Sequence, residues 1–330
     1  MIPSKFTFAF STNASRLGMA LICLLPFFGC ATFNLGPVMS PLVEKEISGS
    51  GNNKILLLSI NGVIRNEDKK SFTGATVSLG MVERVKEILE KAAQDDEIRA
   101  LLIRINSPGG TVTASDIIYH DIKKFKEKTG KKVYVSIIDL AASGGYYIAV
   151  AADRIIAHPT SLTGSIGVIA LKINLEGLLH NIGVDWEVIK SADKKDFLSP
   201  LRAMTPEERK LFQSTINHFH QRFLKVIAEG RPNISPTKIA KLADGRVYTS
   251  AEALEHKLID KIGYMDDTLE LIKTELGLTE IKVITYARSG QYKTNIYSQI
   301  SQPPTINLIN LNLGLNFDSP SPHFMYLWMQ

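Results

Sequence analysis

Apolar residues recur along this chain in two alternating periods. Short continuous apolar runs of strand length are followed by stretches whose apolar positions lie three and four apart. Residues 54–60 read as a buried strand, which Asn61-Gly62 turns into Val63-Ile64. Residues 65–78 are polar and glycine-containing and read as a loop, and residues 79–93 carry Met81, Val82, Val85, Ile88 and Leu89 at helical spacing. A second unit follows. The strand 99–105 runs into Asn106-Ser107-Pro108-Gly109-Gly110, and a helix over 113–128 has Ile117, Ile118, Ile122 and Phe125 on one face. The strand 132–138 then leads through Leu140-Ala141-Ala142-Ser143-Gly144-Gly145 into the small-residue helix 148–152. A third repetition has a short strand at 154–157, the turn Thr163-Gly164-Ser165-Ile166-Gly167, a helix near 175–181 and a strand at 184–189. Alternating strands and helices with glycine at the strand ends predict a mostly parallel sheet, its site beyond the carboxyl ends of the strands.

Beyond Lys190 the period becomes helical. Thr205-Pro206-Glu207-Glu208 is a capped start for a helix running to about residue 229, and shorter helices are predicted over 235–242, 250–256 and 265–276. Residues 309–317 alternate apolar with Asn or Gly, a strand period, and Ser319-Pro320-Ser321-Pro322 introduces an apolar tail. At the other end Lys5 and Arg16 precede the apolar run 17–28 and Gly29-Cys30, the order of an export signal. Gly29-Cys30 resembles the end of a bacterial lipoprotein signal, with Cys30 as the lipidated residue; an uncleaved anchor is the alternative. The expected division is therefore an export signal or membrane anchor over 1–33, a linker over 34–53, a catalytic domain over 54–290 and a tail over 291–330. Either form of the signal holds the domain at a membrane, outside the cytoplasm.

Composition changes this picture little. The net charge is +5, but Lys and Arg are interspersed with Asp and Glu, which argues against nucleic acid as a partner. The only two cysteines, Cys23 and Cys30, lie in the N-terminal segment, so the domain has no disulfide, thiolate nucleophile or cysteine metal site. No Gly-Lys-Ser/Thr loop or GxGxxG run points to a phosphate or cofactor, and no cofactor or metal is expected.

The chemistry centres on Ser143. A serine at a strand-to-helix junction stands beside the unpaired N–H groups and positive dipole end of a helix, where developing negative charge is stabilised. The same position also suits a simple capping serine. A nucleophilic serine needs a base and an oxyanion hole. Gly109 and Gly110 supply free N–H groups at a strand end, although Pro-Gly-Gly also makes an ordinary turn. For the base, His158 and His180 lie downstream in unmarked contexts, and the 190–195 segment carries Lys190, Lys194 and Lys195, which as an isolated feature is a solvated basic loop.

Five stretches in order resemble the bacterial signal peptide peptidase A family of serine proteases: 106–110, 141–147, 162–168, Lys190-Ser191 through Lys195-Asp196, and Ala243-Asp244-Gly245-Arg246-Val247-Tyr248. The resemblance spans about residues 54–267. It implies an α/β spiral of the crotonase or Clp-protease kind with an appended helical region, and a Ser–Lys dyad with Ser143 as nucleophile. The base corresponds to Lys195 in single-domain members and to Lys190 in double-length ones; the length here selects Lys195. Ser165 matches the serine that orients the lysine amine, and Gly109 and Gly110 match the oxyanion turn. The resemblance further implies a ring-shaped homo-oligomer that completes its sites between subunits. Its substrates would be short, unfolded apolar peptides such as signal-peptide remnants in the membrane. The competing readings are a crotonase-type acyl-CoA enzyme and a non-catalytic membrane scaffold of the same fold.

Overall fold

The computed structural model describes residues 40–70, 76–288, 295–298 and 324–328. The export signal or anchor predicted over 1–33, and the strand period at 309–317, lie outside the described residues.

The strands are β1 (Val43–Gly49), β2 (Lys54–Asn61), β3 (Lys69–Lys70), β4 (Thr76–Ser78), β5 (Ile98–Ser107), β6 (Gly109–Thr111), β7 (Lys132–Ala142), β8 (Arg154–Ala157), β9 (Leu162–Gly164), β10 (Val247–Thr249), β11 (Lys261–Ile262), β12 (Lys282–Ala287) and β13 (Met325–Leu327). The helices are α1 (Met81–Ala92), α2 (Val112–Thr129), α3 (Gly144–Ala149), α4 (Glu176–Asn181), α5 (Pro206–Gly230), α6 (Pro236–Leu242), α7 (Ser250–Glu255) and α8 (Met265–Leu276).

The main sheet runs β1-β12-β2-β5-β7-β8-β11, parallel throughout except where β1 pairs antiparallel with β12. Both faces are covered, which is why β2 is a continuous apolar run rather than an alternating one. Leu56, Leu58 and Ile60 pack with Val85, Leu89 and Ile118 on one side, while Ile55 and Leu57 meet Met265 and Ile272 of α8 on the other. The long α5 starts where the sequence predicts: Thr205 and Glu208 close a reciprocal capping box and Pro206 occupies the first turn.

The carboxyl ends of β5 and β7 leave the main sheet and build a second tier. Along β7, residues Tyr134–Ile137 pair with β8, whereas Leu140–Ala142 pair with β9 instead. The register of β5 slips between Ile105 and Ser107, and β6 follows at once to form a separate two-stranded sheet with β13. This tier positions the site.

Three segments differ from expectation. Within 65–78, read as a loop, β3 and β4 pair as a short antiparallel ladder. Val43–Gly49, read as linker, is a strand: it is an edge with mostly exposed, charged side chains, held through its backbone to β12. Conversely, residues 184–189, read as a strand from their apolar content, form no regular element, and Ile189 is 94% exposed. Among the described residues no strand pairs with that segment.

Candidate active site

Three turns converge at the tier. The Ser143 N–H donates to the Gly164 carbonyl (2.7 Å), so the serine is tied directly to the turn bearing Ser165. Its own carbonyl accepts from Tyr147 N–H (2.8 Å) and so begins α3. Both serines are buried, and both have left-handed backbones, with φ of 53° at Ser143 and 48° at Ser165. Such conformations cost roughly 1–3 kcal/mol each outside glycine and persist only where the surroundings enforce them. Ser165 is enforced by the stretch 243–248: its N–H donates to the Arg246 carbonyl (2.7 Å), and β10 pairs with β9.

The Pro-Gly-Gly turn lies against the start of α3. A methyl group on Gly109 would fall 2.8 Å from the Gly144 nitrogen, and one on Gly144 would fall 3.1 Å from the Gly110 nitrogen and 2.4 Å from Ser115 Oγ. Only glycine permits this approach. The two expected oxyanion donors are not equivalent, however. The Gly109 N–H is taken by Ser107 Oγ (3.1 Å). Gly109 has a φ of 101°, and Gly110 follows it in β6, opposite Tyr326 of β13. Gly144 stands at the first turn of α3, where N–H groups have no partner within the helix. Sequence reasoning placed free helix N–H groups beside Ser143 without assigning one; the signal was the glycine directly after the serine.

The candidate bases separate clearly. His158 is buried against Tyr264 and Tyr297, and desolvation lowers its pKa. His180 is exposed on α4. Lys190 is bound to Asp196 (2.8 Å) and to the Asp193 carbonyl (2.9 Å), and Lys194 to Glu207 (2.7 Å). Lys195 is exposed and carries no ion pair among the described residues. No hydrogen bond joins it to Ser143 or Ser165 among the described residues.

The lysine loop is fastened at one point. Arg202 bridges Asp196 (2.9 Å) and Glu208 (2.6 Å), the latter being also the capping-box residue of α5. Arg202 foremost, then Lys190, holds the Asp196 carboxyl far below its usual range, and Arg202 with the Thr205 N–H lowers Glu208 to about 2. Depressed carboxylates stabilise a structure above their unfolded pKa of roughly 4 and cease to do so as pH falls through the folded value. Limited proteolysis within residues 183–205 is therefore expected to be constant from pH 8 to 5 and to accelerate from about pH 4 downward. An acceleration centred near pH 6 would point to histidine instead.

The model of the Clp protease family matches residues 64–163, and that of peptidase family S49 matches residues 125–279. The chain is a serine protease on a Clp-protease-like α/β fold. It belongs to peptidase family S49: a protein of Enterococcus faecium named as a signal peptide peptidase SppA is 37% identical over 238 residues, 72% of this chain and 68% of the relative. A protease of Synechocystis is 42% identical over 71% of this chain and 78% of its own length. The chloroplastic serine protease SPPA of Arabidopsis thaliana is 32% identical, over 74% of this chain but 36% of its own. Among solved structures, a ClpP1 mutant of Listeria monocytogenes aligns with 64% of this chain and 94% of its own, at 21% identity and a TM-score of 0.42.

Proposed function

We propose that this protein is a membrane-held endopeptidase with a Ser143–Lys195 dyad, completed between subunits and acting on short unfolded peptides such as signal-peptide remnants. The observation that carries the reading is the convergence of Ser143, Ser165, Gly110 and Gly144, two of them strained serines, the first bonded through its N–H to Gly164, the residue before the second. Ser143 Oγ passes its proton to the neutral Lys195 amine and attacks the peptide carbonyl, whose oxygen becomes an oxyanion between the Gly110 and Gly144 N–H groups. Lys195 then protonates the leaving amine, and water releases the acyl group by the same route. Ser165 holds the lysine amine in line.

A lysine serves as base only when neutral, which requires lowering its pKa from ~10.4 toward 7 or 8, a cost of roughly 4 kcal/mol met by burial. Exposed as it is in one protomer, Lys195 reaches such a setting only when covered by another subunit. The neighbouring surface suits that role. Among the described residues, seven of the thirteen exposed large hydrophobic residues fall within 171–189, including Leu171, Leu178, Ile182 and Ile189, and α4 buries no residue of its own. Contiguous exposed apolar surface of this kind marks an interface.

Among the described residues no helix is long and apolar enough to cross a membrane; attachment is assigned to the N-terminal segment, through lipidated Cys30 or an uncleaved anchor, with the catalytic domain outside the cytoplasm. The test is complementation. Ser143→Ala and Lys195→Ala proteins, each inactive alone, should regain part of the wild-type rate when co-assembled, and activity per chain should fall on dilution as assemblies dissociate. A dilute monomer with full peptidase activity would refute the shared site.

A further inference from the structure

Every N–H donor of Arg202 is spent on one junction. Nε and Nη2 fork onto Asp196 (both 2.9 Å), Nη1 and Nη2 fork onto Glu208 (2.9 and 2.6 Å), and Nη1 also donates to the Ala203 carbonyl (3.0 Å). A guanidinium carries its donors in one rigid plane, so two carboxylates held this way are fixed in angle as well as in distance. Glu208 is buried, and a bond from the Thr205 N–H (2.8 Å) makes it part of the start of α5. Asp196, at the other fork, directly follows Lys195. One side chain thus ties the neighbour of the proposed base to the first turn of a long helix.

Local backbone geometry converts that tie into a direction for Lys195. Residues Asp193–Asp196 form a 3₁₀ turn in which the Lys195 N–H bonds to the Ala192 carbonyl (3.1 Å), and the Ser199 N–H bonds to the Asp196 carbonyl just beyond it (2.8 Å). Successive side chains of such a turn point about 120° apart. Lys194 meets Glu207 in the first turn of α5 (2.7 Å) and Asp196 meets Arg202, so two of three consecutive directions are taken up by the start of α5. Lys195 takes the third and stands exposed. Further along, α5 is fixed in the core by buried Phe223, Val226 and Ile227. The Phe223 ring lies 5.0 Å from that of Tyr147, whose N–H bonds to the Ser143 carbonyl. With about 22 Å of helix between Glu208 and Phe223, α5 is the rigid member that relates the lysine loop to the serine tier.

Building on the proposed dyad, we infer that Arg202 is a positioning residue for the base: by clasping Asp196 to Glu208 it aims Lys195 outward from α5, where the Ser143 of a neighbouring subunit meets it. Arg202 touches neither substrate nor serine and acts only through the direction it gives Lys195. Misplacing a reacting group by about an ångström costs on the order of 10²-fold in rate. Ser143, Gly110 and Gly144 stand on elements that the clasp does not touch, so the loss falls on kcat and leaves KM alone. A lysine at 202 would keep the charge, but a point charge on a flexible stem cannot fork onto two carboxylates at once.

Steady-state hydrolysis of an apolar peptide by the full chain tests this, with the size of each assembly followed by sedimentation. Arg202→Met should lower kcat by about 10- to 100-fold with KM within about twofold and the assembly unchanged. Arg202→Lys should recover only part of that loss. Asp196→Ala leaves Arg202 on Glu208 and so preserves the start of α5, yet it should show the same fall in kcat. The double variant should lose no more than Arg202→Met alone, because both changes open one clasp. Lys195→Ala, run alongside, separates the two readings. If it is inactive while Arg202→Met or Asp196→Ala keeps the wild-type kcat, this inference is overturned and the dyad stands. A loss confined to KM or to assembly size, or single losses that multiply in the double variant, overturns it equally. If Lys195→Ala itself turns over peptide at the wild-type rate, the dyad fails and the inference with it.

Discussion

Ser143→Ala is expected to lower peptide hydrolysis by about 10⁴-fold or more, with residual turnover supplied by the oxyanion donors and strand binding alone. The substitution is clean for two structural reasons. The Ser143 side chain makes no capping hydrogen bond to α3, so its removal leaves the helix start intact. The left-handed φ of 53° is imposed through backbone bonds to Gly164 and Tyr147, which alanine retains. Melting temperature should therefore stay close to wild type while steady-state peptide cleavage vanishes. A variant that keeps more than a few per cent of the rate would remove Ser143 from the chemistry, and a serine-reactive phosphonate should label the wild type and not the variant.

The second large effect separates two lysines. Lys195→Ala is expected to match the Ser143→Ala loss, because in the proposed dyad Lys195 alone takes the serine proton. Lys190→Ala should cost far less, a few-fold at most. Lys190 is committed to Asp196 and the Asp193 carbonyl, contacts within its own loop. Its loss leaves Asp196 still bonded to Arg202, so the loop keeps its anchor. If Lys190→Ala alone abolished turnover while Lys195→Ala left it intact, the two roles would be exchanged.

The strands that build the site were readable because they are buried on both faces, and burial writes itself into sequence as unbroken apolar runs such as 54–60 and 99–105. The glycine turns were readable for a related reason: Gly109 and Gly144 stand where backbones touch, and no side chain fits. What escaped was held by partners rather than by its own pattern. Val43–Gly49 is joined to the sheet through main-chain bonds to β12, which leave no trace in side-chain periodicity. Residues 184–189 carry the apolar content of a strand, yet their apolar side chains lie exposed and irregular on a single protomer. The oxyanion donors were half legible. The glycine pair was evident, but not that the Gly109 N–H is bonded to Ser107 Oγ, which is why the proposed donors are Gly110 and Gly144.

The cleft grips β13 along both edges, β6 on one side and Ile169, bonded to Met325, on the other. A polypeptide already paired in a sheet has one edge committed, and a helix has spent its N–H and C=O groups internally, so neither can be admitted as it stands. Only a chain bare of secondary structure over some five residues satisfies both rims at once. On the proposed reading the enzyme discriminates by foldedness before it reads any side chain, and a helical peptide would have to unwind locally at its own expense to become a target.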